Sequence, residues 1–230
     1  MTQLKVCGIH ADDDLSFATH PVVTHIGFVF VSESRRFIRP QDATVQANKL
    51  RGHCQTVGVF ANAPRHEVET IAASIGLDVV QLHGSESPAY CRQLQERGFQ
   101  VWKTLCMPAT ATQLADVHDG LQQYQAGVNG LLLDSAPPSG SGRVSGGHGN
   151  AWDWTLAEIA FQFPFAKLRP QLWCAGGLHP GNVHELLQSC RPDGIDVSSG
   201  VESDGRKSMQ KIYQMIEAVS GVDRSFTVPG

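Results

Sequence analysis

Two side chains that can move protons stand at the ends of apolar segments in this sequence. Cys7 closes an alternating segment and precedes Gly8, while Asp134 directly follows three consecutive leucines at 131–133. A thiolate and a carboxylic acid on opposite sides of a sugar carbon can transfer protons without a metal or a cofactor. Each residue also has an ordinary alternative, because free cysteines commonly pack in cores and an aspartate can cap a loop or pair with a lysine. The two residues together indicate general acid–base chemistry if the fold brings them to one site.

Further polar side chains occupy similar positions at or after the ends of apolar segments. In chain order they are Arg36, Asn62, His83, Lys103 and Asp196. Polar groups at the ends of apolar strands need a reason, since burying them unpaired costs free energy. A structural, hydrogen-bonded role is an equal alternative for His83, and Arg36 beside Arg35 can be a solvated charge. Lys5 and Lys103 leave a Schiff base open, although neither stands in an obvious setting for one.

Two turns near the C-terminus have the composition of a phosphate-binding site. Gly176-Gly177 follows one apolar strand, and Ser199-Gly200 follows the next strand about twenty residues later. Small residues between a strand and a helix let backbone N–H groups converge on an anion, and the helix dipole favours negative charge there. Two ordinary strand-to-helix turns are the alternative. Because the turns follow consecutive strands at the end of the chain, we expect a phosphate site formed by Gly176, Gly177, Ser199 and Gly200.

Composition narrows the function classes. A formal net charge of −4 gives no reason to expect a nucleic acid or an anionic membrane as partner. The six cysteines are scattered without a CxxC pair, and no HxH or HExxH cluster is present, so we expect neither a metal nor a cofactor. No apolar run approaches the length of a membrane span, and because the sequence opens on a predicted strand we expect no signal peptide. We therefore expect reduced thiols in a cytoplasmic protein that acts on a small molecule.

The elements that must position these residues alternate along the chain. Eight apolar strands alternate with eight helices over 1–220, without a composition break, which predicts one (β/α)8 TIM barrel rather than the alternative, a doubly wound open sheet. In such a barrel, strand ends meet at one mouth, and phosphate commonly binds after strands 7 and 8. The predicted strands are 3–7, 25–30, 56–60, 79–82, 100–105, 130–134, 172–175 and 195–197. The predicted helices are 11–19, 40–51, one after Pro64 with its C-cap at Gly76, one from Ser87-Pro88, 111–124, 152–161, one from near Pro180, and one carrying Lys207, Ile212, Met215 and Ile216.

Two segments fall outside this regular pattern. The segment 135–150 is long and rich in Gly, Ser and Pro, which is typical of a lid or binding loop. The last ten residues, 221–230, are expected to form an irregular tail.

An ordered set of short motifs resembles the phosphoribosylanthranilate isomerase family. The resemblance runs from the first strand to the last helix, with departures at His148 in the GGxG segment and at Ser208 after GxK. The motifs are KVCGI (5–9), GFVF (27–30), SRRFI (34–38), VGVF (57–60), QLHG (81–84), LLLDS (131–135), GGHG (146–149), WDW (152–154), AGGLHPGNV (175–183) and GIDVSSGVE (194–202).

The resemblance implies an Amadori rearrangement of N-(5-phospho-β-ribosyl)anthranilate in tryptophan biosynthesis. By resemblance, Asp134 is the general acid that protonates the ring oxygen, and Cys7 is the general base that removes the proton from C2. Lys5, on the same strand face as Cys7, is expected to help lower the pKa of that thiol. Arg36 is the expected partner of the anthranilate carboxylate, because a guanidinium fork matches a carboxylate. Asp196 is placed near the sugar hydroxyls, and His83 contributes to substrate binding.

Two other classes compete with this interpretation. The first is another phosphate-binding barrel enzyme of tryptophan or histidine biosynthesis. One such enzyme is expected to have catalytic lysines and a glutamate at its strand ends, and another an aspartate in place of Cys7. A non-catalytic sugar-phosphate-binding barrel is expected to have lost Cys7 or Asp134, and both are present. The sequence leaves open a monomer or a homodimer.

Overall fold

The computed structural model of the protein describes residues 2–107, 114–135, 154–166 and 169–225. Eight parallel strands close into a barrel in sequence order, with β8 hydrogen-bonded to β1. The predicted (β/α)8 barrel is therefore confirmed. The strands are β1 (Gln3–Cys7), β2 (Val23–Val29), β3 (Gln55–Phe60), β4 (Val79–Leu82), β5 (Gln100–Met107), β6 (Gly130–Ser135), β7 (Gln171–Cys174) and β8 (Gly194–Val197).

Helices surround the barrel between successive strands. A 3-10 helix (Ser16–Thr19) fills the first interval, and α-helices fill the others. A further 3-10 helix (Ser199–Val201) and a short hairpin of β9 (Glu202–Ser203) and β10 (Arg206–Lys207) follow β8. The α-helices are α1 (Pro40–Leu50), α2 (Arg65–Ile75), α3 (Pro88–Glu96), α4 (Leu114–Tyr124), α5 (Thr155–Phe161), α6 (Val183–Ser189) and α7 (Met209–Ser225).

Strand alternation divides the buried residues into two layers. Aliphatic side chains such as Leu4, Val6 and Leu131 point outward and join the large core beneath the helices. Every second residue points into the barrel, where the rings of Trp102 and Trp173 pack at a tilt of 36° with centroids 4.6 Å apart. The inward positions above this aromatic layer, toward the carboxyl ends of the strands, hold the polar residues of the site.

Several predicted boundaries differ from the structure. The first predicted helix, 11–19, is only the 3-10 helix Ser16–Thr19, and the helix expected near Pro180 begins at Val183. Lys207 lies on β10 rather than on the last helix. That helix runs to Ser225, so the predicted start of the irregular tail at 221 falls inside α7.

Some predictions fall on parts of the chain outside the described residues. These are nearly all of the 135–150 loop, including His148, and the last five residues of the tail. Among the described helices, none combines the length and the apolar composition that a membrane span requires.

Candidate active site

Cys7 lies at the carboxyl end of β1 and points into the barrel. Cys7 is 8% exposed and packs against Val29 of β2 and Val59 of β3, whose side chains also point inward. Burial raises the pKa of the Cys7 thiol above its ordinary value, and the positive charge of Lys5 offsets this only in part. Lys5 therefore acts on Cys7 in the expected direction, but the net pKa of the thiol is raised because burial outweighs the lysine.

Lys5 is held in a buried ion pair on the same face of β1. Its Nζ lies 2.8 Å from Oδ2 of Asp196, the residue beside it in the register of β8. Burial lowers the pKa of Lys5, but the carboxylate of Asp196 and the nearby thiol raise it by more. The pKa is therefore above its ordinary value, and the ammonium form is favoured. A protonated amine is not a nucleophile, which argues against a Schiff base on Lys5. Oδ1 of Asp196 is buried and has no hydrogen-bond partner among the described residues, so it can accept a bond from a ligand.

Asp134 and His83 face each other across the mouth. His83 Nε2 lies 3.4 Å from Asp134 Oδ2, and the other carboxylate oxygen accepts the Ser135 backbone N–H at 2.7 Å. On its far side, His83 Nδ1 lies 3.3 Å from Gln81 Nε2 and 3.2 Å from Thr104 Oγ1. The negative charge of Asp134 raises the pKa of Asp196 further, beyond the effect of burial, which places the two carboxyl groups in one electrostatic neighbourhood. The structure thus brings Asp134, His83 and Asp196 together.

Arg36 lies at the same mouth, but in the structure it binds a carboxylate of the protein itself, in addition to the substrate carboxylate predicted for it. Arg36 Nε and Nη2 donate to the two oxygens of Glu202 at 2.6 and 2.9 Å. The fork expected for the substrate is thus occupied by a protein side chain. The opposite edge of the guanidinium remains, because Nη1 donates to no acceptor among the described residues.

Lys103 points away from the barrel interior. Trp102 and Thr104 face inward, so Lys103 faces the helices and lies 5.8 Å above the ring of Tyr124 on α4. Its Nζ donates to the carbonyls of Leu82 and Gly84 and is paired with Glu86 at 3.2 Å. These bonds make Lys103 a structural tie, not a candidate for covalent catalysis.

The two predicted phosphate turns are in contact. A Cβ at Gly200 would lie 1.9 Å from the carbonyl oxygen of Leu178, so only glycine allows this approach. Gly176 and Gly177 have positive φ of 87° and 65°, and neither donates its N–H to another described residue. Asn182 fixes this turn by donating to the Gly177 carbonyl at 3.0 Å. The turns are thus assembled with donors available, and phosphate binding there stays a prediction.

Several residues of this region gave no separate signal in the sequence. Glu86 ties the loops after β3 and β4, because it accepts the backbone N–H groups of Asn62 and Gly84 at 2.7 and 3.0 Å. Ser198 donates its hydroxyl to the Cys7 carbonyl at 3.0 Å. Glu202 was visible only as part of the motif at 194–202, without a role.

Comparison with known proteins agrees with this arrangement. Residues 4–218 match the family described as N-(5'-phosphoribosyl)anthranilate isomerase. A protein of that name from Brevibacillus brevis is 36% identical over 220 residues, which cover 95% of this chain and 94% of the relative. Another from Bacillus subtilis is 33% identical over 215 residues, covering 93% of each chain.

Solved structures lead to the same family. Phosphoribosyl anthranilate isomerase from Thermotoga maritima superposes with a TM-score of 0.81 at 31% identity, covering 96% of this chain and all of the other. A second phosphoribosyl anthranilate isomerase, solved in complex with reduced 1-(o-carboxyphenylamino)-1-deoxyribulose 5-phosphate, gives a TM-score of 0.76 at 28% identity with the same coverage. A thiol, a carboxyl pair and two glycine-containing turns at one barrel mouth, together with these matches, show that the chain belongs to the N-(5'-phosphoribosyl)anthranilate isomerase family.

Proposed function

We propose that this protein converts N-(5-phospho-β-ribosyl)anthranilate to 1-(2-carboxyphenylamino)-1-deoxyribulose 5-phosphate, a step of tryptophan biosynthesis. The observation that carries the proposal is the inward ring of Cys7, Lys5, Asp196, Asp134 and His83 at one end of the barrel. This ring supplies a base and an acid close to the two turns that suit a phosphate. The reaction is an isomerisation, so no external oxidant or reductant is needed.

The first step opens the ribose ring, with Asp134 as the acid. The carboxyl group donates a proton to the ring oxygen, the bond between this oxygen and C1 breaks, and the anilino nitrogen supplies the electron pair that forms a C1–N iminium. His83, 3.4 Å from Asp134 Oδ2, holds the carboxyl group in place. The Ser135 N–H on Oδ1 fixes the other oxygen.

The second step removes the proton from C2, with Cys7 as the base. The adjacent iminium acidifies this proton, and the C–H electron pair forms the C1–C2 double bond while the iminium electrons return to nitrogen. The resulting enolamine then loses its hydroxyl proton and gains a proton at C1, which gives the ketone. The protonated Lys5 near Cys7 stabilises the thiolate that starts this step.

Binding roles follow from the donors and acceptors at the mouth. Asp196 Oδ1 accepts from a sugar hydroxyl, and the free edge of Arg36 donates to the anthranilate carboxylate. Gly176, Gly177, Ser199 and Gly200 surround the phosphate with backbone N–H groups.

The activity is tested by mixing the purified protein with freshly prepared phosphoribosylanthranilate and following the substrate fluorescence. We expect an enzyme-dependent loss of fluorescence, with the ketose phosphate identified by mass and by chemical reduction. If substrate fluorescence is lost no faster with the protein than without it, the proposal is refuted.

Cellular location and assembly are part of the same proposal. We infer a cytoplasmic protein, as reduced cysteines and a biosynthetic role suggest. One related structure is described as monomers generated from a dimeric isomerase of Thermotoga maritima. Light scattering of this protein will distinguish a monomer from a homodimer.

A further inference from the structure

Glu202 is a buried carboxylate that contacts three cations at the mouth of the barrel. Its Oε1 lies 2.6 Å from Arg36 Nε and 2.8 Å from Lys207 Nζ, and its Oε2 lies 3.0 Å from Arg35 Nη2. Burial alone raises the pKa of Glu202, but the hydrogen bonds and charges of Arg36 and Lys207 lower it to about 2. The side chain is therefore a carboxylate across the physiological pH range.

Glu202 fixes which edge of Arg36 is available. Nε and Nη2 both point at the carboxylate, while the stem of Arg36 passes over Gly8, where a Cβ would lie 2.4 Å from Cδ. With that side fork occupied, the Nη1–Nη2 edge remains for another carboxylate. A guanidinium has two such forks, so it can bind Glu202 and a substrate carboxylate at the same time.

Glu202 also holds Lys207 close to Cys7. The hairpin pairs Lys207 directly opposite Glu202, and Lys207 Nζ donates to the Ser198 carbonyl at 3.1 Å. Ser198 in turn donates its hydroxyl to the Cys7 carbonyl at 3.0 Å. The positive charge of Lys207 counteracts the rise in the pKa of Cys7 that burial causes.

The charge balance of this cluster indicates more than a stabilising ion pair. The side chains of Arg36, Lys207 and Glu202 are 8%, 2% and 4% exposed, which leaves one positive charge in excess below the surface. Burying an uncompensated charge is costly, whereas one cation per carboxylate would have been neutral. The excess charge suits a site that receives an anion, either the substrate carboxylate or the Cys7 thiolate.

We propose that Glu202 is a positioning residue for the isomerisation, which orients Arg36 toward the anthranilate carboxylate and holds Lys207 beside Cys7. The inference rests on the proposed function, because it assigns an orienting partner to groups of that same site. Glu202 itself touches no reacting atom.

The test compares Glu202→Gln and Glu202→Asp with wild type. In Glu202→Gln the amide cannot satisfy both cations, so Arg36 loses its fixed orientation. We expect KM for phosphoribosylanthranilate to rise at least about tenfold, the effect of weakening a charged hydrogen bond, with a smaller change in kcat. The pH midpoint for alkylation of Cys7 by iodoacetamide, read by peptide mass spectrometry, should move to higher pH, because Lys207 is no longer held beside the thiol.

Glu202→Asp separates charge from reach. The shorter side chain keeps the charge but cannot contact both cations, so KM and the alkylation midpoint of Cys7 should both rise, as in Glu202→Gln. Arg35→Ala is the matched control, since Arg35 contacts the same carboxylate but has a side chain that is 59% exposed. We expect its KM to stay within about twofold, as for an exposed ion pair.

A merely structural Glu202 would lower the melting temperature of both variants and leave KM and the alkylation midpoint unchanged, which would overturn the proposal. If Glu202→Gln does not fold, the KM of folded Glu202→Asp decides in the same way. Failure of the proposed function is distinguishable, because a wild type without turnover refutes the reaction, while the alkylation midpoints still test the coupling of Glu202 to Cys7.

Discussion

Cys7 is the residue whose environment most constrains the proposed chemistry. Replacing it with serine keeps the size but removes a group that ionises in the working range, so we expect kcat to fall at least about a hundredfold. Because burial holds the pKa of the Cys7 thiol above its ordinary value, kcat/KM of the wild type should still increase with pH above neutrality. Both effects are read from steady-state rates between pH 6 and 9.

Cys91 provides the matched control for Cys7. It is also buried but lies on α3, outside the barrel interior, and burial raises its pKa to about 11. Cys91→Ser should cost stability without changing the pH profile. A Cys7→Ser enzyme with the wild-type rate and profile would remove Cys7 from the mechanism.

Asp134 is tested by an amide of the same shape. In Asp134→Asn the contacts with Ser135 and His83 can persist, but the amide cannot donate the proton that opens the ring. We expect most turnover to be lost while binding of a reduced product analogue stays within about tenfold. Rapid-quench rates and calorimetric binding give the two numbers, and near wild-type turnover would contradict the acid role.

At the residue scale, the sequence identified side chains whose local setting is itself unusual. Cys7, His83, Asp134 and Asp196 end apolar strands, and the structure places all four at the barrel mouth. It could not reveal Glu202 as the partner of Arg36, because these residues are 166 positions apart, and a turn and a two-residue strand leave no periodic pattern. Nor could it give the sign of the shift in the pKa of Cys7, which depends on valines contributed by other strands.

The loops after β3 and β4 depend on one buried carboxylate for their shape. Glu86 bonds two backbone N–H groups and is paired with Lys103, with both side chains almost fully buried. Glu86→Gln leaves that lysine without its countercharge, so we expect the free energy of unfolding to fall by about 3 kcal/mol. Urea denaturation measures this change.

Glu96 serves as the control for that measurement because it is exposed at the end of α3. Glu96→Gln should change the free energy of unfolding by less than about 0.5 kcal/mol. Equal effects of the two substitutions would show that the Glu86–Lys103 pair contributes nothing specific.

At the element scale, alternation and caps located the strands and most helices within a few residues. β1 and β4 were predicted with their observed ends, and Gly76 ends α2 in the left-handed conformation with φ of 73°. Lys207 was wrongly placed on the last helix, since a position five residues before Ile212 lies about 140° away around a helix and does not share its apolar face. Its actual position is set by pairing with Glu202 across a hairpin, whose two-residue strands are too short to leave a periodic pattern.

The barrel interior as a whole should make stability depend on pH. His25 is 3% exposed and lies between the rings of Trp102 and Trp173, with centroid distances of 5.0 and 4.8 Å. Burial lowers the pKa of His25 from 6.5 to about 4. Between these two values the unfolded chain binds a proton on His25 that the folded chain does not bind. The contribution of neutral His25 to the free energy of unfolding is therefore complete above pH 6.5 and is lost as the pH falls toward 4. Its size is roughly 3 kcal/mol.

Urea unfolding at several pH values between 4 and 7.5 checks this contribution. Carboxylates also titrate in that range, so the relevant quantity is the difference between wild type and His25→Gln. The variant should show a flatter dependence, by roughly 3 kcal/mol over the range, whereas His53→Gln at an exposed position should follow wild type. Parallel curves for wild type and His25→Gln would contradict the prediction.

The ion pair between Lys5 and Asp196 joins positions 191 residues apart, at the seam where the first strand meets the last. During synthesis the ribosome releases β1 at the outset and β8 only near the end. For most of translation, a nascent chain therefore contains the Cys7 thiol but not yet Asp196, Ser198 or Lys207, which lie near it in the folded protein. A chain released before residue 196 contains Cys7 but no assembled site, so isomerase activity measures completed translation, and premature termination yields inactive protein however well the shorter fragment collapses.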